Sequence, residues 1–404
     1  MTPPALPAKA GTSAPTPEPR VAAISLDPTP LPAAARPAAQ PAAQPTAPRE
    51  ADRAEFLSRV ERFARAIPKV ELHCHLLGTV QRDTLTEWVA RAGGPISAAE
   101  IESFYTRGEK PVGVLRVLRA LEQQLLASPD DLYRLTIEYL ESASAHAVRY
   151  AEFAWNPTGC ARDAGIDYRS GMQAIVAAIR DARVQWGIES RMIVAIDREA
   201  APEDAVEMVE WVLAHRCDDV PGIGIDYREN DRPPEMFAQA YALARRAGLK
   251  TTAHAGEFGM PWTNVRTAVD LLQVDRIDHG YTVVDDPAFA QRCAESGIVF
   301  TVVPTNSYYL RTLPPERWAL DHPIRRMPGL GLRVHPNTDD PTLHLVDPTR
   351  AWTMMVRDFG FGVDDLRAFT INGIDAAWVD DSVRVRWRRE HLRAFDELRQ
   401  THGL

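Results

Sequence analysis

Short apolar runs alternate with longer amphipathic segments from residue 53 onward, and this alternation strongly limits the folds that the chain can adopt. The candidate strands are residues 70–76, 148–155, 191–197, 222–227, 249–255, 276–280, 298–303 and 332–337. Apolar residues at helical spacing fill the intervals, as in residues 171–186, 203–214 and 234–246. Eight strands separated by helices predict a (β/α)8 TIM barrel. An open, doubly wound parallel sheet is the alternative, and counting strands does not separate the two.

The first fifty residues differ in composition from the rest of the chain. They contain 13 Pro and 14 Ala. Such a tract buries too little apolar surface to offset the entropy cost of ordering it. Prolines also interrupt every apolar stretch that could serve as the core of a secretory signal. We therefore expect residues 1–52 to form a disordered tail and residues 53–404 to form one barrel domain.

A long segment separates the first two candidate strands. Within it, residues 112–126 carry apolar side chains at helical spacing. This spacing predicts a helical insertion after the first strand of the barrel.

The first candidate strand contains the string Glu71-Leu72-His73-Cys74-His75. Alternate side chains of a strand share one face, so His73 and His75 project together and can hold one metal ion. Cys74 points to the opposite face, where we expect a buried thiol rather than a ligand.

Other candidate strands also end in residue types that bind metals or carry protons. These strand ends read His254-Ala255-Gly256-Glu257, Asp278-His279-Gly280 and Asn337-Thr338-Asp339-Asp340. The carboxyl ends of all strands in a parallel barrel meet at one mouth, where active sites lie. Three imidazoles and one carboxylate would converge there and leave a position for water, which is how a catalytic zinc site is built.

Charge and cysteine usage exclude several classes of partner. The 46 Lys and Arg residues against 55 Asp and Glu give a net charge of −9, which does not favour nucleic acid or an anionic membrane surface. No apolar run approaches the roughly 18–20 residues of a membrane-spanning helix. The four cysteines lie scattered without CxxC spacing, which fits a cytoplasmic protein. We expect a small-molecule partner, and the sequence does not indicate an oligomeric state.

Taken together, these strings resemble the adenosine deaminase family within the amidohydrolase superfamily. The matching motifs occur in family order across residues 55–380, beginning with Pro68-Lys69-Val70-Glu71-Leu72-His73-Cys74-His75 and Gly78. The resemblance implies one zinc ion per subunit, held by His73, His75, His254 and Asp339. The fourth strand lacks the lysine that bridges two metals in some amidohydrolases, so one metal is favoured. In this family a segment like residues 112–126 covers the pocket.

The resemblance also implies catalytic roles for three further residues. His279 would orient and help to deprotonate the attacking water. Glu257 would present a proton to N1 of a purine ring, which requires a raised pKa of its carboxyl. Asp340 would accept a hydrogen bond at N7. The implied reaction replaces the 6-amino group by a 6-oxo group and releases ammonia.

The substrate-binding set that we infer is Leu77, Gly78, Glu229 and Asp340, and two of these residues depart from the adenosine pattern. Strand alternation would aim Leu77 into the pocket, where adenosine deaminases usually carry Asp and adenine deaminases Glu. Leucine cannot pair with a hydroxyl, which favours a 5′-deoxy or 5′-alkylthio nucleoside or a substituted purine. Glu229 stands where adenosine deaminases usually have glycine, and backbone amides near it could meet the base. This stretch looks more like the adenine deaminase branch.

Three functional interpretations therefore remain open. The first is a zinc-dependent hydrolase that deaminates adenosine or a 5′-modified adenosine. The alternative within the same chemistry is a deaminase of free adenine or N6-substituted adenine. A catalytically silent metal-binding member of the family is the third, and the presence of Glu257 argues against it.

Overall fold

The computed structural model describes residues 50–106 and 113–404 of the chain. Its strands are β1 (Lys69–Glu71), β2 (Val148–Trp155), β3 (Glu189–Asp197), β4 (Gly222–Asp226), β5 (Lys250–Ala255), β6 (Arg276–His279), β7 (Val299–Val302) and β8 (Arg333–Pro336). Its helices are α1 (Glu50–Ala66), α2 (Arg82–Arg91), α3 (Ala98–Phe104), α4 (Val114–Ala120), α5 (Pro129–Ala145), α6 (Pro157–Asp163), α7 (Tyr168–Trp186), α8 (Pro202–Ala214), α9 (Ala238–Arg246), α10 (Trp262–Thr267), α11 (Pro287–Ser296), α12 (Ser307–Thr312), α13 (Trp318–Asp321), α14 (Pro348–Arg357), α15 (Val363–Ala376) and α16 (Asp381–Thr401). None of the helices in these two stretches is both long and apolar enough to cross a bilayer.

The strands form one parallel sheet in the order β1 to β8, so each strand pairs with its neighbours in sequence. The sheet closes between β1 and β8. Two backbone hydrogen bonds join the segments that directly follow these two strands. His75 N donates to Asp339 O at 2.8 Å, and Asp339 N donates to His73 O at 3.0 Å. The prediction of a (β/α)8 barrel is confirmed, and the seam between its first and last strands lies where the histidine pair and Asp339 were expected to meet.

The predicted and observed strands agree within one or two residues at each end for β2 to β8. The first strand is the exception, because it ends at Glu71 instead of continuing to residue 76. His73 and His75 therefore lie in an extended segment after β1. Residues 1–49 of the predicted tail lie outside the described residues, and its last three residues belong to α1, which begins at Glu50.

Local sequence signals explain where the helices begin and end. In α7, the Asp167 side chain accepts from the Ser170 amide at the start, and Gly187 adopts a left-handed φ of 69° at the end. The insertion predicted over residues 112–126 is α4 followed by a π-helical turn at Leu121–Leu125, with residue 112 outside the described part. The helix predicted over 234–246 is a 3-10 turn at Pro234–Phe237 that continues as α9.

Candidate active site

Three imidazoles and one carboxylate converge at the seam of the barrel. Nε2 of His254 lies 3.1 Å from Nε2 of His73 and 3.2 Å from Nε2 of His75. Oδ1 of Asp339 lies 3.3 Å and 3.0 Å from those same two nitrogens. Donor atoms held at 2.0–2.1 Å by one tetrahedral zinc ion lie about 3.3 Å apart. The four side chains selected from the sequence are thus brought together at spacings that fit a single metal ion.

Two buried aspartates contact the far side of the imidazole rings. Oδ2 of Asp226 lies 3.0 Å from Nδ1 of His75. Oδ2 of Asp278 lies 3.4 Å from Nδ1 of His254, and its Oδ1 lies 3.9 Å from Nδ1 of His73. The contact between Asp226 and His75 is at hydrogen-bond distance, and the acceptor at Nδ1 of His73 is the carbonyl oxygen of Thr301 at 3.1 Å. An acceptor at Nδ1 keeps the ring proton there and leaves the lone pair of Nε2 directed to the centre of the cluster. These contacts are those expected of rings that hold a metal ion.

Glu257 and His279 lie side by side next to this cluster. Oε2 of Glu257 is 3.6 Å from Nε2 of His279, and Nδ2 of Asn306 donates to Oε1 of Glu257 at 3.3 Å. Burial, with the negative charges of Asp339 and Glu229, raises the pKa of Glu257 well above its usual value. Burial and the neighbouring imidazoles lower the pKa of His279 well below its usual value. Both shifts favour the uncharged form of the side chain, as a pairing of a proton donor with a proton acceptor requires.

Asp340 lies in the wall of the cavity beside this pair. Burial and the adjacent charge of Asp339 raise its pKa to about 7. Among the described residues, no hydrogen-bond partner reaches its Oδ1. A Cβ built on Gly78 would lie 1.9 Å from that oxygen, so the glycine makes room for the Asp340 carboxyl. Gly78 thus leaves the space that this buried oxygen occupies, and Asp340 lines the cavity beside it.

A cavity of about 160 Å³ lies in front of these groups. Helix α4 supplies part of its wall, in agreement with the expectation that the insertion covers the pocket. Phe258, Tyr227 and Ser307 add aromatic and polar surface. The described residues that line the cavity are His75, Gly113, Val114, Leu115, Arg116, Leu118, Asp226, Tyr227, His254, Glu257, Phe258, His279, Ser307, Arg311, Asp339, Asp340 and His344.

The side chain of Leu77 does not lie where strand alternation would aim it. The chain leaves β1 at Glu71, and Leu76–Thr79 form a 3-10 turn, so the two-residue period no longer applies. Leu77 is 3% exposed and packs in the hydrophobic core. It is not among the described residues that line the cavity. The geometric basis for a substrate contact at Leu77 is therefore wrong.

Glu229 was included in the substrate-binding set, with backbone amides near it expected to meet the base, and its side chain contacts the protein. Its carboxylate is buried and accepts hydrogen bonds from the amides of Gly256 at 3.0 Å and Glu257 at 3.2 Å. Nδ2 of Asn264 donates to it at 2.7 Å. Glu229 is not among the described residues that line the cavity. Its acceptor capacity is used inside the protein.

Sequence reasoning assigned no individual role to several residues that shape the site. Asp226 and Asp278 lie at the carboxyl ends of β4 and β6. The strand pattern predicts these positions, but the contacts with the histidines are visible only in the structure. Arg116 and Arg311 line the cavity from α4 and α12. Nothing local in the sequence marks these two arginines, because their placement depends on how distant helices cover the barrel mouth.

Comparisons with known proteins agree with this geometry. The family model described as adenosine deaminase matches residues 68–391. The chain is 31% identical over 334 residues to an adenine deaminase of Vibrio parahaemolyticus, covering 81% of this chain and 96% of the relative. Among solved structures, an amidohydrolase of Burkholderia ambifaria with bound Zn is 61% identical, with a TM-score of 0.85 and coverage of 86% of this chain and 95% of that chain.

A second solved structure, the adenine deaminase of Arthrobacter aurescens, is 28% identical, with a TM-score of 0.73. It covers 81% of this chain and 99% of that chain. The matched segment contains the whole ligand cluster together with Glu257, His279 and Asp340. This chain belongs to the adenosine deaminase family.

Proposed function

We propose that this protein is a zinc-dependent hydrolase that deaminates 6-aminopurines, with free adenine as its preferred substrate class. The observation that carries this proposal is the cluster of three imidazoles and Asp339 beside the buried carboxyl of Glu257. The relatives named adenine deaminase and the Zn-bound structure support the choice of substrate and metal. A nucleoside such as adenosine or a 5′-modified adenosine is the second candidate.

The proposed metal ligands are His73, His75, His254 and Asp339. Their donor atoms lie within 4.8 Å of one another, and the buried aspartates behind the rings hold the nitrogens in the ligating tautomer. When bound, the ion supplies a Lewis acid that makes water a competent nucleophile at neutral pH. The remaining chemistry belongs to the side chains around the ion.

The proton transfers are assigned to Glu257 and His279. The raised pKa of Glu257 lets its carboxyl hold a proton at neutral pH and present it to N1 of the ring, which withdraws electron density from C6. The lowered pKa of His279 leaves a neutral imidazole to accept a proton from the attacking water. Asp340 completes the set, since a protonated or ionised carboxyl there can pair with N7 or with a proton on it.

The free base is favoured over the nucleoside because curated relatives named adenine deaminase match 81% of this chain. The Glu229 stretch, which follows β4, also resembles the adenine deaminase branch. Residues 53–404 are proposed as the catalytic domain, because the family match falls within them.

Formation of the 6-oxopurine, monitored by the loss of ultraviolet absorbance of the 6-aminopurine ring, distinguishes the candidates. This readout also covers N6-methyladenine, which would release methylamine instead of ammonia. Adenine, N6-methyladenine, adenosine, 5′-deoxyadenosine and 5′-methylthioadenosine are offered at equal concentration to the zinc-loaded protein. We expect adenine to give the highest kcat/KM. A higher kcat/KM with a nucleoside would overturn the choice of substrate, and formation of no 6-oxopurine from any of them would overturn the purine assignment and favour a silent metal-binding protein.

A further inference from the structure

The Glu229 carboxylate and the Arg198 guanidinium contact opposite sides of the turn that follows β5. Glu229 accepts from the amides of Gly256 and Glu257. Nη2 of Arg198 donates to the carbonyl oxygen of His254 at 2.6 Å. Both side chains are buried, with Nη1 of Arg198 4.0 Å from Oε1 of Glu229. Arg198 thus contacts the backbone of His254, and Glu229 contacts the backbone of Gly256 and Glu257.

The backbone turn at Gly256, between His254 and Glu257, has a conformation that neighbouring side chains must hold. Gly256 has a φ of 68°, in the left-handed region that favours glycine. A Cβ at this position would clash with Oγ1 of Thr282, so the backbone at Gly256 packs closely against the segment that follows β6. The conformation aims His254 and Glu257 into the same site from a six-residue strand that ends at Ala255. A small rotation in this turn would move the Glu257 carboxyl relative to the metal ligands.

Asn264 also donates a hydrogen bond to the Glu229 carboxylate. Its Nδ2 donates to Oε1, the same oxygen that accepts from Gly256, while Oε2 accepts from Glu257. Both carboxylate oxygens are therefore occupied by donors of the protein. Burying a carboxylate costs several kcal/mol unless donors surround it, and here the donors are the turn itself.

We infer that Glu229 is a positioning residue, which holds Glu257 at the correct distance from the substrate ring, and that it does not contact the substrate. This inference rests on the proposed deaminase function. A misplacement of about 1 Å at a reacting group costs on the order of 10²-fold in rate, which is the effect expected when this support is removed.

The variant Glu229→Gln keeps the shape of the side chain but loses its charge and presents an amide donor to the turn. We expect kcat for adenine to fall on the order of 10²-fold, with KM within about threefold of the wild type and with zinc content unchanged. Deuterium uptake at the amides of Gly256 and Glu257 should rise, and this readout does not depend on any substrate.

Asp131→Asn is the matched control, because Asp131 is also a buried carboxylate that accepts from two backbone amides and an arginine. It should leave kcat and deuterium uptake at residues 256–257 unchanged. Asn264→Ala removes one hydrogen-bond donor to Glu229 and should also lower kcat, by a smaller factor than Glu229→Gln. It replaces Glu229→Gln as the test if that variant does not fold.

The outcomes separate the inference from the proposed function. A Glu229→Gln variant with wild-type kcat and wild-type amide exchange would overturn the positioning role. A raised KM with an unchanged kcat would make Glu229 a substrate contact instead. If the wild type releases no ammonia from any 6-aminopurine, the proposed function fails, while amide exchange still decides whether Glu229 holds the turn.

Discussion

Oε2 of Glu257 lies 3.6 Å from Nε2 of His279, and the two side chains have pKa values shifted in opposite directions. Both shifts favour the uncharged form of the side chain. The proposed deamination uses Glu257 as the proton donor and His279 as the proton acceptor, roles that these shifts support. The arrangement therefore leads to tests that remove one property at a time.

Replacing Glu257 by Gln removes the transferable proton and keeps the size of the side chain. We expect turnover of adenine to fall by about 10²–10⁴-fold, the usual contribution of a positioned acid. Zinc content should stay at the wild-type level, because Glu257 is outside the proposed ligand set. Glu207→Gln on the exposed face of α8 is the control. Unchanged turnover in Glu257→Gln would refute the proton-donor role.

Asp226→Asn tests the contact behind His75. The Asp226 carboxylate holds Nδ1 of His75 at 3.0 Å, and loss of such a partner commonly weakens metal binding by about 10–100-fold. We expect the zinc Kd, measured by competition with a chelator, to rise within that range. Asp131→Asn should leave the zinc Kd unchanged, and an unchanged Kd in Asp226→Asn as well would contradict the orienting role.

Leu77→Asp tests whether residue 77 reaches the substrate. Because Leu77 packs in the core, the variant buries a carboxyl without a partner, and we expect a lower melting temperature. The ratio of activity on adenosine to activity on 5′-deoxyadenosine should not change. A ratio that moves toward adenosine would show that this side chain meets the ribose after all.

His322 predicts an acid-sensitive component of stability. Burial lowers its pKa to about 3, and its Nδ1 accepts a hydrogen bond from the Ile324 amide at 3.1 Å. The unfolded chain takes up this proton near pH 6.5, whereas the folded chain does not, so stability is lost as the pH falls below 6.5. Between pH 7 and pH 5.5 the wild type should lose about 1 kcal/mol more unfolding free energy than His322→Asn. Urea unfolding at both pH values checks this, and equal losses would contradict it.

The strand pattern predicted the barrel because parallel barrel strands are continuous apolar runs between polar turns. β2 coincides with residues 148–155, and the other strands after it are displaced by one or two residues. The exposure of Val184 follows from its position on α7. It lies five residues after Ile179, about 140° around the helix and outside the buried stripe. It is therefore 88% exposed, although it falls within the predicted apolar segment 171–186.

The convergence of His73, His75, His254 and Asp339 was predictable because they lie at or just after strand ends, which the barrel brings to one mouth. The positions of the Leu77 and Glu229 side chains were not predictable. The alternation that aims Leu77 inward ends with β1 at Glu71. The partners of Glu229 lie 27 to 35 residues away along the chain, after β5 and in α10. Contacts of this kind depend on the packed structure and leave no local signal.

Metal dependence of ammonia release from adenine tests the central claim most directly. The protein is stripped with a chelator, assayed, and assayed again after one equivalent of zinc is restored. We predict that the stripped protein is inactive and that one zinc per chain recovers the activity. Full activity without metal, or no ammonia after zinc is restored, would contradict the account.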